Sequence, residues 1–259
     1  MLNNNKKFNT TLQLLLTIML YSKIKRMCQL QNTILKNICL LIILFYLFSC
    51  SREQDTTTNI CGTITDIDGN TYNTIQIGTQ CWMKENLKTT HYKDGSIIQE
   101  VQDSIAWSNI YNTNAKTAAW CYYNMDSANN SIYGKLYNWH AVNNGKLAPA
   151  GWHVPTDNDW EILVNYLNAS IAGSVMKDTV NLWTVPNIAN NSSGFSCLPA
   201  GYRLENGKFL HINDGAYFWS STFYNDYSVW FRSLGWNSTN VGRNNITKEM
   251  AVSVRCLKD

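Results

Sequence analysis

The stretch Ala148 to Glu161, APAGWHVPTDNDWE, gathers Trp152, His153, Asp157, Asp159, Trp160 and Glu161 around prolines. A histidine among carboxylates is a pattern for acid–base chemistry. The same residues have a second reading, as the start of a helix. Thr156 is placed as N-cap, with Asp159 three residues on to complete a capping box, and Asp157 and Asp159 lie where a helix N-terminus favours negative charge. Pro155 and Trp160 can pack as a staple, after which Trp160, Leu163, Val164 and Leu167 form one apolar stripe. On this reading His153 orders the loop before the turn, and the motif positions a fold.

Other reactive types are sparse. The histidines are His91, His140, His153 and His211, with no His-x-His or His-Glu-x-x-His spacing. Asp66-Ile-Asp68-Gly69 invites a calcium loop, but an EF-hand aligned on Gly69 puts Ile64 and Ile75 at ligand positions. Beyond Cys50, the cysteines are Cys61, Cys81, Cys121, Cys197 and Cys256, an odd number without a Cys-x-x-Cys pair. Zinc and thioredoxin-like chemistry are therefore not expected, whereas one or two bridges and a free thiol are.

Residues 1–49 carry six of the 21 basic residues and no acidic one, with short apolar runs at Leu12 to Tyr21 and Ile38 to Phe48. The second run ends at Leu47-Phe48-Ser49-Cys50 and gives way to a polar tether at 51–59. This predicts a signal peptide over 1–49, with Met27 a more conventional start, and resembles a bacterial lipoprotein signal in which Cys50 is lipidated. The rest of the chain then holds 15 basic against 18 acidic residues, a net charge of −3. An acidic surface without basic runs argues against nucleic-acid binding. The expected location is the cell envelope, at the outer membrane or cell surface, anchored through the lipid.

The elements expected to position any site begin with a hairpin, Gly62 to Asp68 and Thr71 to Gly78, joined at Asp68-Gly69-Asn70. A short helix is predicted across Tyr133 to Val142, and a second after Thr156. Strands are predicted at Tyr217 to Thr222, Ser228 to Leu234 and Ala251 to Leu257. In the last of these, Val252, Val254 and Cys256 alternate with Ser253 and Arg255, pointing Cys256 to the core, where a disulfide would fit.

Six ordered motifs then carry a resemblance: Asp66 to Leu87 (DIDGNTYNTIQIGTQCWMKENL), Tyr133-Gly-Lys-Leu-Tyr-Asn-Trp139, Gly151-Trp-His-Val-Pro-Thr156, Gly194-Phe-Ser-Cys-Leu-Pro-Ala-Gly-Tyr-Arg203, Phe218-Trp-Ser-Ser-Thr222 and Val254-Arg-Cys-Leu-Lys-Asp259. Residues 60–259 resemble the Fibrobacter succinogenes major paralogous domain, found in exported bacterial proteins, many of them lipoproteins. The helix-opening Pro-Thr-x-x-x-Trp and terminal Arg-Cys are also similar to the formylglycine-generating enzymes. The resemblance implies an α+β domain of C-type-lectin-like fold, with two helices packed on twisted, mostly antiparallel strands and long loops. Ala148 stands where many members have cysteine, and Cys197 where a small residue is commoner. The pairing expected is Cys81 with Cys256, leaving Cys197 free.

Lectin-type calcium sites use Glu-Pro-Asn or Gln-Pro-Asp with Trp-Asn-Asp. Tyr224-Asn-Asp226 and Trp236-Asn-Ser238 only echo these, so calcium is unsupported and no cofactor is expected. The ten tryptophans and twelve tyrosines beyond residue 49 stand among Asn, Ser and Asp, a composition that suits sugars or flat partner surfaces. Trp82, Trp139, Trp152, Trp160, Trp219 and Trp230 are expected in the core. The candidate ligand-binding residues are Tyr224, Asn225, Asp226, Trp236, Asn237, Arg243 and Asn244, in loop-like segments where recognition usually sits. The expectation is non-catalytic binding of an extracellular glycan or protein; the alternatives are a structural or adhesion component of the envelope and an oxidase related to the formylglycine-generating enzymes.

Overall fold

The structure, a computed structural model, describes residues 19–27, 29 and 61–259. The chain divides into two compact units, Met1–Thr57 and Thr58–Asp259. In the first, residues 19–27 and 29 are helical, and no described helix is long and apolar enough to cross a membrane. Cys50 and the tether at 51–59 lie outside the described residues.

The second unit is α+β. Strands β1 (Thr63–Thr65), β2 (Thr71–Ile77) and β3 (Gln80–Met83) run antiparallel and continue through β14 (Leu257–Lys258) to β7 (Trp152–His153). The first hairpin closes as expected, with Thr65 opposite Thr71 and Gly69 at φ 84°. Its acidic residues build the turn. Asp66 Oδ1 accepts from the Asp68 and Asn70 amides at 3.0 and 2.9 Å, and Asp66 Oδ2 accepts from the Tyr72 hydroxyl at 2.5 Å. Burial pushes the Asp68 carboxyl up, but hydrogen bonds from the Thr90 amide, His91 and the Thr90 and Thr89 hydroxyls outweigh it and hold the group at about 2.

A six-stranded sheet orders β4 (Gln99–Glu100), β5 (Ala119–Cys121), β6 (Leu136–Asn138), β13 (Ala251–Val252), β8 (Ala200–Arg203) and β9 (Phe209–Ile212). A three-stranded sheet orders β10 (Gly215–Phe223), β11 (Ser228–Gly235) and β12 (Gly242–Thr247). The helices are α1 (Ser104–Asn112), α2 (Asn129–Tyr133), α3 (Trp139–Val142), α4 (Asp157–Tyr166) and α5 (Ala172–Met176).

Helix α4 starts where the Thr156 motif predicts, with both halves of the capping box formed. The helix expected over 133–142 is instead strand β6 followed by the single turn α3, because the Asn138 side chain caps the Ala141 amide and begins a new element. The last strand divides into β13 and β14. Val252, Ser253, Val254, Arg255 and Cys256 between and beside them are all buried, so both sides of this segment are covered and the alternation does not separate core from solvent.

Three clusters make the core. One contains Tyr72, Trp120, Tyr137, Trp139, Trp152, Trp219 and Val254; in the second Trp82 meets Trp160 with centroids 4.7 Å apart, flanked by Phe195 and Phe218; the third, smaller, gathers Trp107, Ile110, Cys121 and Leu136. Four buried cations pin loops to this core without a carboxylate partner among the described residues. Lys177 Nζ donates to the carbonyls of Gly235, Trp236 and Ser238 at 2.8, 3.0 and 3.0 Å, beside the Trp183 ring. Arg255 donates to Asn86 Oδ1 and the carbonyls of Met83, Phe195 and Ser196, with its guanidinium 4.7 Å from the Phe195 centroid. Arg203 holds the carbonyls of Val101, Gln102 and Gly207 above the Trp107 ring, and Lys135 holds that of Lys88 beside Trp120. Burial pulls Arg255 down to about 10 and lowers the other three.

The disulfide joins Cys61 to Cys81, with Cα atoms 5.8 Å apart, which corrects the expected Cys81–Cys256 pair. The strand register explains the difference. Leu257 pairs with Trp82 and the Met83 amide donates to the Cys256 carbonyl, so Cys256 faces Met83 and stands two residues out of line with Cys81. Cys121, Cys197 and Cys256 are buried free thiols; burial pushes the first two up to about 12 and raises the third.

Candidate functional site

Four chain segments meet around a cleft of about 960 Å³. The first is the end of α1. Asp103 caps this helix by accepting from the Ala106 amide at 2.8 Å, and Trp107 and Ile110 bury one face, leaving Tyr111 and Asn112 at the exposed end. Asn114 and Lys116 follow in left-handed backbone, at φ 51° and 50°. Helix α3 contributes Trp139 and His140, followed by Asn143. The turn after β10 contributes Asp226 and Tyr227, and the end of β12 contributes Thr247, Lys248 and Glu249.

The wall is built of rings and charges in contact. Trp139 Nε1 donates to the Ser220 carbonyl at 3.1 Å, and its ring meets Phe223 edge-on with centroids 4.5 Å apart. Lys248 Nζ lies 4.9 Å from the Phe223 centroid and donates to the Asp226 carbonyl at 2.5 Å. His140 Nε2 and Glu249 Oε1 are 3.3 Å apart. Burial pushes the Glu249 carboxyl up, but hydrogen bonds from His140 and from its own backbone amide outweigh this and leave it below the usual carboxylate range.

The mouth offers unused recognition groups. Tyr111, Phe223 and Tyr227 are exposed, Tyr227 to 82%. The side chains of Asn112, Asn114 and Asn143 make no hydrogen bond to another described residue, and Thr247 Oγ1 is buried without a partner among them. Flat rings beside free amides and a hydroxyl can stack on an apolar ligand face while bonding to hydroxyls at its edge.

The residues expected to bind ligand divide between places. Asp226 lines the cleft, and Tyr224 and Asn225 share its turn. Asn225 Oδ1 is already occupied, accepting from the Tyr227 and Ser228 amides at 2.9 Å each. Tyr224 packs against Trp230, whose ring also carries the Arg243 guanidinium at 3.6 Å. Asn244 is exposed on β12 opposite Phe231. Trp236 and Asn237 follow the far end of β11, eight residues away from the turn, or roughly 26 Å of extended chain. Trp236 is half-buried against the second core cluster. The structure thus does not bring the seven together.

Of the cleft lining, sequence reasoning found only Asp226; it missed Phe223, Tyr227, Thr247 and Lys248 and the whole α1 side, Tyr111 to Lys116. Asp103 three residues before Ala106, with Trp107 and Ile110 at helical spacing, was the available signal. His153, Asp157 and Asp159 of the opening motif are spent on structure. His153 Nδ1 lies 2.7 Å from Asp259 Oδ1 and its Nε2 3.3 Å from Asp159 Oδ2. Asp157 binds Arg232 and Arg243, each at 2.7 Å.

Residues 75–258 match the model of the Fibrobacter succinogenes major domain. No curated protein and no solved structure matches the chain. A match over this span, together with the α+β architecture, means that the chain belongs to the Fibrobacter succinogenes major domain family.

Proposed function

We propose that this is an exported cell-envelope protein, lipid-anchored through Cys50, whose domain of C-type-lectin-like fold binds an extracellular glycan in the cleft without catalysing a reaction. The observation that carries this reading is the lining of the cleft: Tyr111, Phe223 and Tyr227 exposed beside the unbonded amides of Asn112, Asn114 and Asn143, with the buried and orphaned Thr247 hydroxyl in the same lining. A sugar ring has an apolar face for the aromatics and equatorial hydroxyls for the amides, and a buried hydroxyl without a partner gains most from such a ligand. The run into Cys50 and the polar tether support export.

The test is a glycan array probed with the full chain in detergent, with and without EDTA. Binding retained in EDTA and lost in Tyr227→Ala and Thr247→Val supports the reading. An array without a hit, with a protein cross-linked through residue 227 in intact cells, replaces the glycan with a protein partner. Cys50→Ser is expected to abolish acyl labelling; labelling that persists overturns the anchor.

A further inference from the structure

Resting on the glycan reading of the cleft, we infer that its ligand is a sugar bearing a carboxylate, with the ammonium groups of Lys116 and Lys248 as the groups that receive it. Beyond residue 49 the chain is acidic, 15 basic against 18 acidic residues. Lys135, Lys177, Arg203 and Arg255 are buried and held by carbonyls, and Arg232 and Arg243 are both engaged by Asp157. The solvent-facing surface is therefore more acidic than the composition indicates, and an anionic ligand is repelled from most of it.

Lys116 and Lys248 stand out against that surface because they line one concavity. Among the described residues, neither has a carboxylate within ion-pair distance; the lysine that does is Lys146, 2.7 Å from Asp94. Lys248 is held in place by the Asp226 carbonyl and by the rings of Phe223 and Trp139, 4.9 and 5.5 Å from its Nζ. That bond uses one of its three donors, so two remain for a ligand. Lys116 is exposed and makes no hydrogen bond to another described residue. Two carboxylates share the cleft: Glu249 is taken up by His140, and Asp226 is exposed, as Lys116 is, so solvent screens both alike. Lys248, half-buried beside the rings that suit a sugar face, is the less screened cation and the principal charge a ligand meets, with Lys116 adding to it.

The experiment compares matched ligands. Oligogalacturonate and a hyaluronan tetrasaccharide, each against its methyl ester, are titrated calorimetrically into the full chain in detergent at low and high salt. The acids are expected to bind about fivefold more tightly than the esters at low salt, with the difference lost at 0.5 M salt. Lys116→Gln and Lys248→Gln should each lower acid affinity toward that of the ester, and Lys248→Arg should keep it. Because Lys248 also packs on two rings, melting curves accompany its variants, while the exposed Lys116→Gln supplies the test free of folding effects. Esters that bind as well as the acids overturn the acidic-sugar inference and leave the glycan reading standing, as do neutral array sugars that bind when neither acid does. If no acidic or neutral sugar binds, both fall.

Discussion

Asp157, the first residue of α4, meets Arg232 of β11 at 2.7 Å with both side chains buried, which ties the start of a helix to the middle of a sheet. Removing one partner of such a pair leaves an uncompensated buried charge, a far larger loss than that of a cap. Asp157→Ala is expected to cost about 3 kcal/mol or more, and Thr156→Ala about 1 kcal/mol. Urea unfolding midpoints check the ranking, and equal costs would show that the pair contributes no more than the cap.

Glu249 titrates below its usual range in the fold because His140 and its own amide favour the ionised form. A folded-state pKa below the unfolded value stabilises the protein above the unfolded value, and that stabilisation is lost as pH falls through the folded one. The melting temperature of the wild type should therefore fall more steeply below about pH 4.5 than that of Glu249→Gln. Parallel curves would remove the His140–Glu249 contact from the account.

The Cys61–Cys81 bridge closes a loop of 20 residues, for which chain entropy gives about 3 kcal/mol. The double variant Cys61→Ser, Cys81→Ser should lose stability of that order. The buried thiols Cys121, Cys197 and Cys256 should resist iodoacetamide at pH 8 in the native protein and react after denaturation, as read by mass spectrometry. Rapid native labelling of any of the three would contradict its burial.

Lys177→Met keeps the stem and removes the ammonium that holds three carbonyls. Stranding those acceptors should cost about 2 to 5 kcal/mol and speed amide exchange at residues 235–240. Unchanged exchange there would mean that the loop holds its shape without the lysine.

What the sequence disclosed depended on how local its cause was. The Thr156 cap and the Asp66–Asn70 turn are satisfied within a few residues, so both were legible. Tryptophans 82, 139, 152, 160 and 219 were rightly expected in the core. Cys256 was wrongly paired because which residue it faces follows from a strand register between residues some 170 apart, and that register leaves it a free thiol. The cleft was legible at a single residue for the same reason, since Asp226 alone of the seven expected residues lines it. Asp226 stands in a turn whose composition flagged it, whereas Asn112, Lys116 and Thr247 are ordinary polar residues until the fold sets them facing one space. Trp236 was nominated for its ring, and only packing shows that the ring is half-buried.

The carbonyl-holding cations bear on how this domain can diversify. Lys177 and Arg203 grip loops by main-chain oxygens, which every amino acid carries, and Arg255 does so at three of its four contacts. Such a grip is blind to the side chains of the loop it holds. A binding surface on such loops can be rewritten residue by residue while its backbone stays moored.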